Sequence, residues 1–277
     1  ERYIKPAMIR IANKVDTDVH ALYYTIPNWV GTPGQVVDSF SDFSKGPQRM
    51  DELAMPTDNR VATMNPADYW GMLPELKSLY INEKAKTALE RAKVGLLGNV
   101  DTYMSQNLAT HTTGTFGSDT VLINGASQTS TYANVKNTLT QTLNVDGATA
   151  SVTGWVKAGD TFTIAGVFEV NPVTKATQTF LKHFAVTADA NSNSAGAVAM
   201  TIYPAIITSG AYQNASAAPA NDAAVTFKGS SATSYTQNLV FHKNAFALAV
   251  VPLELPEAAK IKARETYLPR LGPLETE

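Results

Sequence analysis

The composition of the chain changes sharply in its middle. Residues 120–240 carry ten charged side chains, whereas the other 156 of the 277 residues carry 36. The same stretch is rich in Ser, Thr, Ala and Gly. A segment that differs so much from both flanks favours a separate domain inserted between two parts of a first one.

The charge-poor stretch has the pattern of β-strands. In GDTFTIAGVFEVNPVTK (159–175), a Gly-Asp turn precedes a run of apolar residues and an Asn-Pro turn ends it. Apolar residues alternate again over 180–186, 198–202 and 225–227. Short strands at such intervals predict a small barrel or sandwich. We expect an independently folding all-β barrel over 145–236, flanked by 1–144 and 237–277.

The first flank begins with an amphipathic helix. Apolar residues recur every three or four positions and form one stripe. Its members are Ile4, Met8, Ile11, Val15, Val19 and Leu22. The sequence predicts one long helix ended by Pro27, with Ile4, Met8, Ile11 and Val15 packed against a partner.

Further elements are expected on both flanks. A short helix is predicted at 46–56, between two prolines. A second at 65–80 starts with an Asn cap and breaks or kinks at Pro74. The composition of 83–95 is typical of an exposed helix ended by Gly95. Two strands, 238–243 and 246–253, would return the chain to the first domain.

The motifs of common enzyme classes are missing from the sequence. It has no cysteine, which removes thiolate nucleophiles and cysteine-based metal sites. It also has no G-x-S-x-G elbow, phosphate-binding loop or dinucleotide fingerprint. The adjacent Asp51 and Glu52 would point apart on a helix, a poor geometry for paired-carboxylate catalysis. We predict no enzymatic activity, no cofactor and no metal.

The four histidines are scattered. Asp16 and His20 lie four apart on the first helix and could share a metal, but a solvated helix face is the better interpretation because no third ligand is near. His111 is interpreted as a polar loop residue rather than a catalytic base. His183 and His242 alternate with aromatic residues and are expected on the wetter face of their strands.

Charge and hydropathy argue against nucleic-acid and membrane partners. The formal net charge is -2, so no global basic field attracts polyanions. The longest apolar run, Ala245–Val251, is far shorter than the roughly 20 residues of a membrane helix. The first residues, ERYIKPAM, have no apolar signal-peptide core.

Several stretches together resemble the major coat proteins of tailed bacteriophages, most of all the podovirus-type subgroup with an inserted β-barrel. The similar segments follow one another along most of the chain. They are ERYIKPAM…ANKVDTDVHALY (1–23), VGTPG (30–34), RMDELAMPTDNRVATMNPADYWGM (49–72), YMSQNLATHTTGT (103–115), GDTFTIAGVFEVNPVTK (159–175) and TSYTQNLVFHKNAFALAVVPLELP (233–256).

The resemblance implies an α+β protein with the tailed-phage major capsid fold. A long spine helix at about 2–24 and an axial α/β domain would carry the inserted barrel. Family members also have an N-terminal arm, an extended loop and C-terminal strands, which we expect this chain to lack. His111 and His242 belong to the family pattern without a catalytic role.

The function implied is that of a self-assembling shell subunit enclosing double-stranded DNA. Expected partners are further copies in pentameric and hexameric capsomers, scaffolding and portal proteins, and DNA bound only non-specifically. The protein would be made in the host bacterial cytoplasm and reside in the virion. Loop 189–196 is free to reach neighbouring subunits, so Asp189 and Asn191 are expected intersubunit contacts.

Two other functions stay open at this point. A non-enzymatic surface or carbohydrate-binding β-domain would suit the Ser/Thr/Asn-rich loops, but not the long amphipathic helix. An enzyme is supported only by His111 and scattered acidic residues. The mass of the particles that the protein forms separates a shell subunit from both alternatives.

Overall fold

The computed structural model describes residues 4–79 and 95–250. Its helices are α1 (Ile4–His20), α2 (Phe40–Glu52) and α3 (Pro66–Leu79). Its strands are β1 (Arg60–Met64), β2 (Gly95–Leu97), β3 (Val100–Met104), β4 (Thr110–Thr112), β5 (Leu122–Ile123), β6 (Gln141–Asp146), β7 (Thr161–Val170), β8 (Thr177–Val186), β9 (Val198–Tyr203), β10 (Val225–Phe227), β11 (Ser234–Thr236) and β12 (Leu239–His242). The helix predicted at 83–95 lies almost wholly outside the described residues.

The first helix forms as its sequence predicts. It passes from α1 directly into a short 3-10 helix, Ala21–Thr25, and extended backbone follows from Ile26. Pro27 then prevents the helix from continuing, since it has no N–H to donate.

Helix α2 begins earlier than the sequence predicts. The predicted span was 46–56, between two prolines, but α2 starts at Phe40 and contains Pro47. Ser39 caps it, because its hydroxyl accepts a hydrogen bond from the Asp42 amide at 3.1 Å. Phe43 and Met50 are both buried on the inner side. Their burial and the cap outweigh the hydrogen bond that the proline cannot make.

Helix α3 continues through Pro74, so of the predicted break or kink at this residue the break is wrong and the kink stays a prediction. Asn65 caps its first turn by accepting from the Asp68 amide at 2.7 Å. Asp68 is itself buried and accepts from Val37 N at 2.7 Å and from Asn238 Nδ2 at 2.6 Å. The helix start is therefore fixed to chain segments on either side of it.

A small mixed sheet lies beside these helices, with strand order β12-β1-β3-β2. Strands β1 and β3 are parallel, and β12 pairs antiparallel with β1. The returning strand at 238–243 is thereby confirmed, whereas residues 246–250 form no strand. The core between sheet and helices consists of Phe43, Ala62, Met64, Tyr69, Met72, Leu97 and Val100.

The central stretch forms a six-stranded antiparallel sheet with strand order β10-β7-β8-β9-β6-β5. Its two edge strands also meet, since Leu122 bridges Ala224 and Val225 N donates to Val121 O at 2.9 Å. The sheet therefore closes almost completely into a barrel, which leaves little exposed edge. Trp155, Phe162, Phe184, Met200 and Ile202 fill the interior and are fully buried.

The barrel uses residues well before position 145. Strand β5 and most of β6 precede that position, and Phe116, Val121 and Ile123 belong to the same hydrophobic core. The charge-poor stretch begins at residue 120 and so includes β5. The boundary at 145 leaves out this strand and most of β6.

Strands β4 and β11 form the neck of the barrel. They pair antiparallel through Thr112–Ser234, His111–Tyr235 and Thr110–Thr236. One strand leads into the barrel and the other leads out of it. The chain thus enters and leaves the barrel at adjacent points.

Candidate functional site

The apolar stripe of α1 is exposed in the described part of the chain. The side chains of Ile4 and Ile11 are 68% and 59% exposed, and Met8 and Val15 are exposed as well. A line of exposed aliphatic side chains along one helix is unfavourable in water. No partner for the stripe lies among the described residues, so the predicted packing contact of these four residues stays a prediction.

The two loop residues expected to contact other subunits make hydrogen bonds within the barrel. Asp189 Oδ1 accepts from Ala158 N at 2.8 Å, and Asn191 Oδ1 accepts from Gly154 N at 2.7 Å. Each side chain keeps further polar atoms for other contacts. Their predicted intersubunit role is not tested by these bonds, which show only that the loop is held in one conformation.

A buried polar chain joins the end of the first helical segment to the barrel. Tyr23 Oη lies 2.8 Å from His111 Nδ1, and His111 Nε2 lies 2.8 Å from Asp160 Oδ1. Because the carboxylate can only accept, Nε2 donates to it, and in a neutral imidazole Nδ1 then accepts from the tyrosine hydroxyl. Burial, and then the negative charge of Asp160, raise the pKa of Tyr23. His111 is thus a buried strand residue, and its prediction as a polar loop histidine was wrong.

Asp160 also organises the backbone at this joint. Its carboxylate accepts from Lys157 N at 2.7 Å and from Gly114 N at 3.0 Å. The neighbouring Gly159 has φ +101°, and a Cβ there would lie 3.0 Å from His111 Nδ1 and 3.1 Å from Tyr23 Cε2. Glycine is required here both by its backbone conformation and by the close approach of two rings.

A second joint links α2 to the barrel through strand β8. The guanidinium carbon of Arg49 lies 3.4 Å from the centroid of the Phe180 ring. Asn171 Nδ2 donates to Glu52 O at 2.9 Å. Behind these contacts, Lys182 Nζ donates to Glu169 Oε1 at 2.7 Å, and both side chains are buried. Burial lowers the pKa of Lys182, while Glu169 opposes that change.

His183 lies in this joint and not on a wet face, so that prediction is wrong. It is buried, and its ring lies 5.3 Å from the ring of Trp29. Burial, followed by the charges of Arg49, Lys228 and Lys182, lowers the pKa of His183 to about 3. The alternation of β8 does not predict this, because the helix layer covers what would otherwise be the outer face of the strand. His242 is partly exposed, and its Nδ1 accepts from Asn244 N at 3.3 Å.

Asp16 and His20 are not joined by a third metal-ligating side chain in the described part of the chain. His20 Nε2 lies 3.7 Å from Asp16 Oδ1, but His20 is buried, contrary to the predicted solvated face. Asp16 Oδ2 instead accepts from Asn107 Nδ2 at 2.7 Å. Over residues 4–79 and 95–250, no group of three acidic or histidine side chains is placed to hold a metal ion. Within those same ranges, no helix is long and apolar enough to cross a membrane.

The residues that sequence reasoning missed are those that connect the two parts of the chain. Tyr23, Arg49, Asp160, Glu169 and Lys182 all lie at the joints and were not singled out. A usable signal existed, since Glu169 and Lys182 are charges within otherwise apolar strands. In a strand covered on both faces, such charges must be paired.

Two comparisons, one with a family model and one with a curated protein, name phage coat or capsid proteins. A family model described as "P22 coat protein - gene protein 5" matches residues 1–270. A protein of Acyrthosiphon pisum secondary endosymbiont phage 1, named "Major capsid protein", is 23% identical over 264 residues, which is 91% of this chain and 62% of that protein. The chain therefore spans less than two thirds of the length of this curated relative. Among solved structures, one titled "CUS-3 coat protein I-domain" has a TM-score of 0.28 and 26% identity, covering 40% of this chain and 96% of that one.

Proposed function

The chain belongs to the P22 coat protein family, and on this premise we propose that it is a structural subunit of a phage capsid. The observation that carries the proposal is the match of the family over residues 1–270, which includes both the helical part and the barrel. A relative of the same kind is named a major capsid protein. The role proposed is structural and non-enzymatic.

The shell would be held together by many modest contacts between copies. A closed shell is stabilised by the number of its interfaces, since each contact raises the effective concentration of the next. The stripe of α1 is the proposed contact with a second copy, because burying its aliphatic side chains contributes about 25 cal/mol for each Å² removed from water. Asp189 and Asn191 are proposed as polar contacts between neighbouring barrels.

Other partners follow from the same role. The chain would form pentameric and hexameric capsomers, work with scaffolding and portal proteins, and meet packaged DNA only non-specifically. A formal net charge of -2 is compatible with enclosing a polyanion without binding it tightly. The protein would be made in the host cytoplasm and end in the virion.

Particle mass tests the proposal most directly. The purified chain is measured by mass photometry and analytical ultracentrifugation, alone and mixed with a complete coat protein of the family. We expect objects containing many tens of copies or more, with this chain incorporated. A sample that stays monomeric or dimeric in both mixtures would contradict the shell function and favour a small binding module.

A further inference from the structure

A cavity of about 300 Å³ lies between α2 and the barrel. Its walls come from the segment after the first helix, from α2, from β8 and from the turn after β10. The side chains that matter for its chemistry are Trp29, Lys45, Arg49, Glu52, His183 and Lys228. Since a water molecule occupies about 30 Å³ of liquid, the space is large enough for a small molecule together with several waters.

Residues that line this cavity carry buried nitrogen atoms without a hydrogen-bond partner in the described part of the chain. Trp29 Nε1, Arg49 Nε and Nη1, and His183 Nδ1 are buried and have no hydrogen-bond partner among the residues that the structure describes. Arg49 Nε lies 3.2 Å from Glu52 Oε2, but the two are not aligned as a hydrogen bond. Tryptophan and arginine nitrogens can only donate. An occupant of the cavity must therefore supply acceptors.

The charged side chains that line the cavity indicate the charge of the molecule that would bind there. Lys45, Arg49 and Lys228 bring three positive charges, and Glu52 brings one negative charge. Lys45 is also paired, since it donates to Asp42 Oδ1 at 2.7 Å. Lys228 has no carboxylate partner among the described residues, and its Nζ lies 3.6 Å from the centroid of the Trp29 ring. Partial burial lowers the pKa of Lys228.

We propose that this cavity is a binding site for a small oxyanion, a phosphate or a carboxylate group. An oxyanion supplies several acceptor lone pairs and a negative charge at once, and hydrogen bonds to charged groups are the stronger kind. Water would also satisfy the donors, but an oxyanion in addition pairs with Lys228, which has no carboxylate partner among the described residues. The site is built from α2 on one side and from β8 and the turn after β10 on the other, so an anion bound there fastens the barrel to the helical layer.

The fluorescence of Trp29 reports binding in the cavity. Tryptophan fluorescence is followed while sodium phosphate is titrated at constant ionic strength held with chloride, and a parallel titration uses sodium acetate. Trp29→Phe identifies the part of the signal that comes from the cavity, since Trp70 and Trp155 lie outside its lining. We expect a saturable change with phosphate, acetate or both, which is missing in Trp29→Phe.

Two variants test the site against a matched control. Lys228→Gln removes the unpaired cation, and we expect binding to weaken about tenfold. Lys136→Gln removes an exposed lysine outside the cavity and should leave the affinity unchanged. Thermal melts of both variants establish that each is folded. A second readout is the NMR titration of His183, because a bound anion favours the protonated imidazole and raises its pKa from about 3.

The titrations distinguish a phosphate site, a carboxylate site and no anion site. Saturation with phosphate that weakens in Lys228→Gln supports the site and assigns it to free phosphate. Saturation with acetate alone supports it and assigns it to a carboxylate, as an acidic side chain would provide. No saturable change at Trp29 with either anion up to about 10 mM, or equal affinity in Lys228→Gln and Lys136→Gln, would overturn the proposal. Particle formation is not measured in these experiments, so their failure leaves the capsid function untouched.

Discussion

Single side chains decide how the barrel is attached to the rest of the chain. Asp160 accepts hydrogen bonds from His111 and from two backbone amides, and it is buried. At the second joint, Lys182 and Glu169 form a buried ion pair. A buried carboxylate or ammonium is tolerated only when it is paired and fully hydrogen-bonded. Removing one partner from either group should therefore lower the free energy of unfolding more than removing a surface charge does.

The first prediction concerns Asp160. In Asp160→Asn one acceptor oxygen becomes an NH₂ donor that faces backbone amides, so buried donors lose their partner. We expect the free energy of unfolding to fall by about 3 kcal/mol, measured by urea denaturation. Asp101→Asn changes an exposed aspartate of β3 in the same way and should stay within about 0.5 kcal/mol of the parent. Equal stability of the two variants would show that the Asp160 network is dispensable.

The second prediction concerns pH and His183. Its pKa is about 3 in the folded chain against an ordinary 6.5, so between these values the unfolded chain binds a proton that the folded chain does not. Stability contributed by the neutral imidazole is therefore complete above pH 6.5 and is lost as the pH falls towards 3. The expected slope from this group is about 1.4 kcal/mol per pH unit.

The control for this pH dependence is His242, a strand histidine that is partly exposed. Urea denaturation at several pH values should give a flatter profile for His183→Gln, because the variant has no imidazole to protonate. His242→Gln alters a partly exposed histidine and should keep the slope of the parent. If both variants follow the parent, protonation of His183 does not limit acid stability.

At the scale of elements, the exposed stripe of α1 and the closed barrel behave in opposite ways. The barrel buries its own core and leaves few open edges. Helix α1 leaves its aliphatic stripe exposed in the described chain. The barrel therefore has its own hydrophobic core, whereas the stripe is the surface that we propose contacts a second copy.

The third prediction tests the stripe. Ile11→Asp places a charge on a side chain that is 59% exposed, so the isolated chain should lose no more than about 1 kcal/mol of stability. Particle formation should be abolished, because an interface would then bury an unpaired carboxylate. Asn13→Asp adds the same charge outside the stripe and should assemble like the parent. Light scattering and mass photometry measure both, and normal incorporation of Ile11→Asp would contradict the proposed contact.

The fourth prediction concerns the limits of the barrel domain. We propose that the independently folding unit is 110–236, because it includes β4, β5, Phe116 and Val121 in addition to the span 145–236 predicted from composition. Fragment 110–236 should give a β-type circular dichroism spectrum and a cooperative melt. Fragment 145–236 lacks one side of the barrel and should melt at a much lower temperature or not cooperatively. A cooperative melt of equal midpoint for the shorter fragment would restore the boundary at 145.

At the scale of the whole molecule, the sequence predicted which elements form better than it predicted the contacts between them. The amphipathic stripe, the charge-poor barrel and the returning strand all follow from local patterns, and each is present. The burial of His111 and His183 does not follow, because it depends on a helical layer that reaches the barrel from distant positions. The start of α2 was missed because the capping residue Ser39 lies before an ambiguous Ser-rich run, and Pro47 looked like a boundary.

The pairing of β4 with β11 at the neck affects how the barrel can be gained or lost in evolution. Removing residues 113–233 would leave two strand ends already side by side, which a short turn can join without moving the sheet β12-β1-β3-β2. We expect that one deletion or insertion at the neck can therefore remove, add or exchange the barrel while this sheet keeps its strand order. The barrel residues of the two joints would change together with their partners, whereas its other loops would be free to diverge.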